Sequence, residues 1–307
     1  MLDVEIFASE AFGVSKIELI TKENILLSEF SKKQISVFQK YINLRISRKS
    51  VSEILQKKEF YGFEFHITND VLTPRPETEI LIENFLENLD KYILKNNILN
   101  SENKNQNQKI KIIDIGTGSG CIAITLALIL QNNKKFNKLF ANNFEIIACD
   151  ISEKALKITK KNIEKYHVEN FVKIQKSDLL ENIDKNFIKN SFIITNLPYI
   201  PETDSLIMSE EVLHGDPSLA LFSGKTGTDL YKKLFDDLFQ KKSNFYEINA
   251  CFFEFDSGII SAENIAGENF QKKYYEILLS TYLKSVNNNI SFFADYSNEE
   301  RFGKILF

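Results

Sequence analysis

Asn196-Leu197-Pro198-Tyr199 is the segment of this 307-residue chain whose residue types point most directly to chemistry. The Asn196 side-chain oxygen accepts one N–H of a planar nitrogen group, and the Leu197 carbonyl accepts another. Tyr199 offers an aromatic face against the same plane. Pro198 biases Leu197 toward extended backbone and so fixes where that carbonyl points. Such a set would hold an amide-type nitrogen with its lone pair aimed at a donated methyl group. An amide nitrogen is a weak nucleophile, so alignment and charge placement must supply much of the catalysis. No strong general base is required.

The elements that must position this tetrapeptide are legible around it. Phe192-Ile193-Ile194-Thr195 reads as a buried strand, and open α/β sheets bind ligands at the carboxyl ends of their strands. A second such strand, Lys111 to Ile115, runs into Gly116-Thr117-Gly118-Ser119-Gly120 and then an apolar helix. A dinucleotide fold needs its third glycine three residues after the second, where this chain has Cys121. The Asp114-x-Gly-x-Gly-x-Gly spacing instead resembles the first motif of the class I methyltransferases, whose cofactor is S-adenosyl-L-methionine. Asp150 ends the next strand, where a carboxylate can accept from both ribose hydroxyls; the competing reading is a helix-start aspartate before Ser152 and Glu153. Asp178 follows the third strand, where methyltransferases of this class place an adenine-contacting acid, and Leu179 could pack on the base. An ordinary loop aspartate is the alternative there.

After residue 109 apolar runs alternate with helical patterns. Strands are expected at 110–115, 144–149, 171–175, 191–195, 250–255, 290–295 and 302–307, with helices near 119–131, 152–165, 227–242 and 262–283. Only Tyr296 to Arg301 separates the last two strands, too short for a parallel crossover, so the final strand should be antiparallel. Upstream, residues 1–58 read as short helices, one capped by Ser31 and another opened by Ser50 or Ser52. Alternating aromatics from Phe60, with a turn at Asn69-Asp70, suggest a hairpin-like connector over 59–76. Pro74 and Pro76 force extended backbone, the second suiting the first turn of a helix that runs to Leu89. The polar stretches 95–109 and 131–143 cannot bury apolar surface and read as solvated loops. The expected architecture is α/β: a Rossmann-like, seven-stranded, mostly parallel sheet over 77–307, preceded by a small helical domain.

Composition bounds the function classes. A formal net charge of −4 gives no broad attraction for nucleic acid, although 31–58 is locally basic. Cys121, Cys149 and Cys251, like His66, His167 and His214, match no metal-ligand spacing, so no metal is expected. The start lacks a signal-peptide pattern, and the longest apolar run, Cys121 to Leu130, is too short to span a bilayer. A cytoplasmic protein with no membrane association is the expectation.

Taken together, these motifs resemble the bacterial release-factor glutamine N5-methyltransferases, the PrmC/HemK family. The resemblance rests on Glu59-Phe60-Tyr61-Gly62, Pro74-Arg75-Pro76-Glu77-Thr78-Glu79, Asp114 to Gly120 and Asn196 to Ile200. It extends through Glu211, Asp216-Pro217, Ala220 to Gly224, Gly227, Glu254-Phe255 and Gly258. The Pro-Arg-Pro-Glu-Thr-Glu run separates this family from DNA adenine methyltransferases with a similar tetrapeptide. The resemblance implies a helical N-terminal domain that grips the partner, and a glutamine in a Gly-Gly-Gln loop of a class I release factor as substrate. It implies target contacts at Arg75, Pro76 and Glu77 besides Asn196 and Tyr199. Other readings are a glutamine methyltransferase acting on a ribosomal protein, or a degenerate methyltransferase serving as a scaffold. One departure stands out: the family tetrapeptide is Asn-Pro-Pro-Tyr, and Leu197 replaces its first proline. The needed carbonyl is backbone, so the expected loss is stiffness, about 1 kcal/mol of preorganisation, plus one added N–H donor.

Overall fold

The computed structural model describes residues 2–21, 27–96, 109–132, 144–239, 247–255, 270–283 and 289–307. Helices α1 (Leu2–Phe12), α2 (Lys16–Thr21), α3 (Lys32–Ile46) and α4 (Val51–Leu55) open the chain. Ser31 caps α3 in a reciprocal box with Gln34, and Ser50 caps α4 through the Glu53 N–H, each satisfying a helix-start donor. The aromatic side chains of Phe7, Phe12, Phe30, Phe38 and Tyr41 hold α1 against α3. Strands β1 (Lys57–Phe60) and β2 (Phe63–His66) then pair antiparallel. The hairpin turns at Tyr61-Gly62, inside the aromatic run and earlier than the Asn69-Asp70 turn expected to form it. Both residues have positive φ, +53° and +76°, which matches the twist of a two-residue hairpin loop.

Next come α5 (Thr78–Lys95), β3 (Ile110–Ile115), α6 (Cys121–Asn132), β4 (Phe144–Asp150), α7 (Glu153–Tyr166) and β5 (Val172–Lys176). The short α8 (Lys185–Ile188), β6 (Ser191–Thr195), α9 (Glu210–Gly215), α10 (Ser218–Leu221), α11 (Asp229–Phe239) and β7 (Ala250–Glu254) follow. The chain closes with α12 (Phe270–Leu283), β8 (Asn289–Ala294) and β9 (Glu300–Leu306). Seven strands form one sheet in the order β5-β4-β3-β6-β7-β9-β8. Its first five are parallel, and β9 inserts antiparallel between β7 and β8. The expected α/β sheet with an antiparallel last strand is therefore present.

Period-two alternation along the strands builds a core on each face. Ile112, Ile146, Ile194 and Phe252 meet α5 and α6 on one side, through Leu81, Phe85, Ala123 and Leu126. Ile113, Ile193, Cys251 and Phe253 meet α11 and α12 on the other, through Tyr231, Phe235, Tyr275 and Leu279. Full burial of one such Ile or Phe contributes about 1.5–3 kcal/mol. The expected loops over 95–109 and 131–143 fall mostly outside the described residues, as do the outer ends of the helices expected at 227–242 and 262–283. Among the described residues no helix is long and apolar enough to cross a membrane.

Candidate active site

β3 delivers the chain into the glycine turn at the carboxyl edge of the sheet. Gly116 has φ +71°, and a Cβ there would also lie 3.0 Å from Leu197 Cδ2. The turn is held from behind by Asp114, whose Oδ2 accepts from the Thr117 hydroxyl at 2.6 Å and from the Ala123 N–H at 3.2 Å. Burial pushes the Asp114 carboxyl up to about 7, against those two donors. From β4, Asp150 accepts the Gly118 N–H at 3.0 Å and the Ser152 N–H at 2.8 Å. Ser152 caps α7, which places Asp150 two residues before the helix cap. Burial raises the Asp150 carboxyl, and the two N–H groups oppose that rise.

A cavity of about 420 Å3 opens over this turn, within the roughly 300–1,000 Å3 usual for small-ligand sites. Gly116, Thr117, Gly118, Ser119, Asp150, Asp178, Leu179, Asn196, Leu197 and Pro198 all line it. Asp178 reaches it while paired with Lys233 at 2.7 Å. Asp114, Gly120 and Pro76 line neither this cavity nor its neighbour. Asp114 stabilises the turn, and Gly120 lets α6 pack against α7, where a Cβ would lie 2.9 Å from Thr159 Cγ2. The second cavity, about 330 Å3, is walled by Arg75, Glu77, Tyr199, Glu254 and Arg301. It shares Leu72, Arg75, Asn196, Leu197, Pro198 and Ala220 with the first. The tetrapeptide thus stands between two cavities. Arg75 is braced by Asp216 at 3.2 Å, and Asp216 also accepts the Thr73 N–H. Glu211 pairs with Arg45 of α3 at 2.7 Å, tying the N-terminal helices to this edge.

The residues that hold the tetrapeptide were not visible as site residues in the sequence. Asn196 Nδ2 donates to Thr78 Oγ1 at 3.0 Å. The Thr78 hydroxyl donates to Glu254 Oε2 at 2.8 Å, and the Tyr199 hydroxyl donates to Glu254 Oε1 at 3.1 Å. Glu254 is 1% exposed, and burial pushes its carboxyl up to about 7 despite both donors. The Leu197 N–H, the donor that a proline would lack, is taken by the Tyr231 hydroxyl at 3.1 Å. That hydroxyl in turn donates to the Glu254 carbonyl. Gln271 Nε2 donates to the Tyr199 carbonyl at 2.6 Å, and Gly227 leaves room for that carbonyl, since a Cβ would come within 2.0 Å of it. One signal pointed to Glu254: a lone carboxylate closing the apolar run from Ala250 lies at the ligand edge of the sheet.

The sequence family described as RMKL-like, methyltransferase domain, matches residues 98–213. The release factor glutamine methyltransferase of Clostridium acetobutylicum is 33% identical over 76% of this chain and 72% of its own. That of Leptospira interrogans is 33% identical over 72% of this chain and 68% of its own. Among solved structures, the human METTL16 catalytic domain in complex with a MAT2A 3′UTR hairpin superposes with a TM-score of 0.52. It covers 80% of this chain and 76% of that one at 15% identity, a likeness of fold alone.

Proposed function

We propose that this chain, which belongs to the release factor glutamine methyltransferase family, methylates a protein glutamine. The methyl group goes from S-adenosyl-L-methionine to the side-chain amide N5 of a glutamine in a Gly-Gly-Gln loop of a class I peptide chain release factor. The observation that carries this reading is the shared wall: Asn196, Leu197 and Pro198 line both cavities, so a donor in one can meet an acceptor in the other.

The first cavity suits S-adenosyl-L-methionine. Its floor is a glycine turn that Cβ atoms would distort, and Asp150 keeps lone pairs beyond those used by Gly118 and Ser152 for ribose hydroxyls. Asp178 and Leu179 line the same cavity, and the adenine is read against them. When bound, the cofactor supplies an electrophilic methyl group on a sulfonium. Across the wall, Asn196 Oδ1 and the Leu197 carbonyl accept the two amide N–H groups of the target. Tyr199 stacks on its plane, and Arg75 and Glu77 line the same cavity. These acceptors favour the charge that develops on the attacking nitrogen, and they are placed before the reaction begins. Walls shared by two cavities also bring donor and acceptor together without a covalent enzyme intermediate.

Incubation with labelled methyl donor and purified class I release factor, followed by mass mapping, should place one methyl on the Gly-Gly-Gln glutamine. Label on a nucleic acid or on a ribosomal protein, with none on the release factor, would overturn the substrate assignment.

A further inference from the structure

We propose that Glu254 and Thr78 form a positioning relay that fixes the Asn196 amide with Oδ1 toward the target, and that Glu254 anchors Leu197 and Tyr199 as well. The inference rests on the reading of Asn196 as an acceptor for the target amide. An asparagine side chain can turn over, exchanging an acceptor for a donor at almost no change in shape. An Asn196 presenting its NH2 group to an amide N–H would repel the target. Something must therefore choose the face.

The hydrogen-bond directions make that choice. At pH 8, above the raised range of its buried carboxyl, Glu254 is ionised and has no proton to give, so both of its oxygens accept. Oε2 takes the Thr78 hydroxyl hydrogen at 2.8 Å. The Thr78 oxygen is then left as an acceptor, and at 3.0 Å it takes an Asn196 N–H. Asn196 Nδ2 is thereby committed inward, and among the described residues no group donates to Oδ1. Were the amide turned over, Oδ1 would face the lone pairs of a hydroxyl whose hydrogen is already spent. The buried setting makes that mismatch costly, because water cannot repair it. Thr78 is 2% exposed and Glu254 1%.

Glu254 serves the rest of the tetrapeptide by two further routes. Its Oε1 accepts the Tyr199 hydroxyl, which sets the ring beside the cavity. Its carbonyl accepts the Tyr231 hydroxyl, which holds the Leu197 N–H. The strand register explains why one residue can do all three. β6 and β7 run parallel with Thr195 opposite Phe253, so Asn196, just past β6, stands beside Glu254, the last residue of β7. Thr78 comes to them from the first turn of α5.

The test compares Thr78→Val, Thr78→Ser and Asn196→Ala in the full chain at pH 8, with a class I release factor as methyl acceptor. S-adenosyl-L-methionine affinity is measured separately by calorimetry. Thr78→Val should lower kcat tenfold or more while cofactor affinity stays within twofold, and Thr78→Ser should stay within threefold of wild type throughout. A folded Thr78→Val with unchanged kcat would overturn the relay, as would equal losses in the Val and Ser variants. If Thr78→Val gives no cooperative melt, Glu254→Gln decides. Its amide N–H can reverse the relay, so kcat should drop at least fivefold in a folded protein, and wild-type kcat would reject the proposal. Asn196→Ala separates the two claims. Activity retained there sinks the acceptor reading itself, whereas activity lost there but kept in Thr78→Val sinks the relay alone.

Discussion

Tyr231→Phe should destabilise the protein through Leu197, a residue on a different element. The Tyr231 hydroxyl is fully buried, accepts the Leu197 N–H at 3.1 Å and donates to the Glu254 carbonyl. Phe keeps the ring packing but strands a backbone donor on a residue that is itself only 4% exposed. A buried unsatisfied N–H costs about 1–3 kcal/mol, and the lost bond to the carbonyl adds about 1 kcal/mol, for a total of roughly 2–4 kcal/mol. Leu197→Pro removes that donor altogether. In the Leu197→Pro background, Tyr231→Phe should therefore cost only about 1 kcal/mol, a coupling of roughly 1–3 kcal/mol. Urea unfolding of the four proteins measures it, with equal m-values showing that the denatured state is unchanged. Costs that add to within about 0.5 kcal/mol would refute the argument. Leu197→Pro alone should change kcat by less than about tenfold, since the stiffness gained is worth about 1 kcal/mol; a several-hundred-fold rise would mean that stiffness dominates the site.

Further outcomes follow from the same geometry. Asn196→Ala should abolish methyl transfer and leave calorimetric cofactor binding nearly intact, and equal loss of both would make Asn196 structural. Gly116→Ala places a Cβ at φ +71° and 3.0 Å from Leu197 Cδ2, so cofactor affinity should fall about tenfold or more for roughly 1.4 kcal/mol of strain; unchanged binding would show that the turn is slack. Glu254 has its carboxyl raised from 4.5 to about 7 in the folded state. The stability tied to its protonation is complete below the unfolded value and is lost as pH rises through about 7. The stability of wild type minus that of Glu254→Gln should thus fall by about 3 kcal/mol between pH 4.5 and pH 8. Denaturant titrations at several pH values read that difference, and a pH-independent gap would contradict it.

Residues whose identity is demanded by their own backbone or nearest neighbours could be read from the sequence. Gly116 and Gly118 sit at positive φ in the turn that their spacing suggested, and Ser31 and Ser50 cap the helices they precede. The apolar strands were equally clear, because burial on both faces leaves little room for polar residues in a parallel sheet. The hairpin was misplaced, since Tyr61-Gly62 is a weaker turn signal than Asn69-Asp70 and only its strand register shows the reversal. Asp114 opens the glycine motif, but its carboxylate lies behind the turn, holding Thr117 and the start of α6. A motif places a residue type at a site without saying which way its side chain turns.

What escaped the sequence was the set of contacts that makes the tetrapeptide more than a turn. Thr78 and Glu254 are 176 residues apart, and Thr78 and Asn196 are 118 apart. No local pattern joins them; only the order β3-β6-β7 and the docking of α5 over it bring them into contact. The same fact explains how Leu197 fits. A proline at that position needs no partner for its nitrogen, whereas a leucine buries an N–H that must be satisfied. Tyr231 reaches it from α11 and passes the load to the Glu254 carbonyl, the residue that also orients Asn196 and Tyr199. A substitution that looked like a local loss of stiffness is thus absorbed by the groups that hold the rest of the site. The coupling between Leu197 and Tyr231 is accordingly the quantity that tells a compensated site from a decaying one.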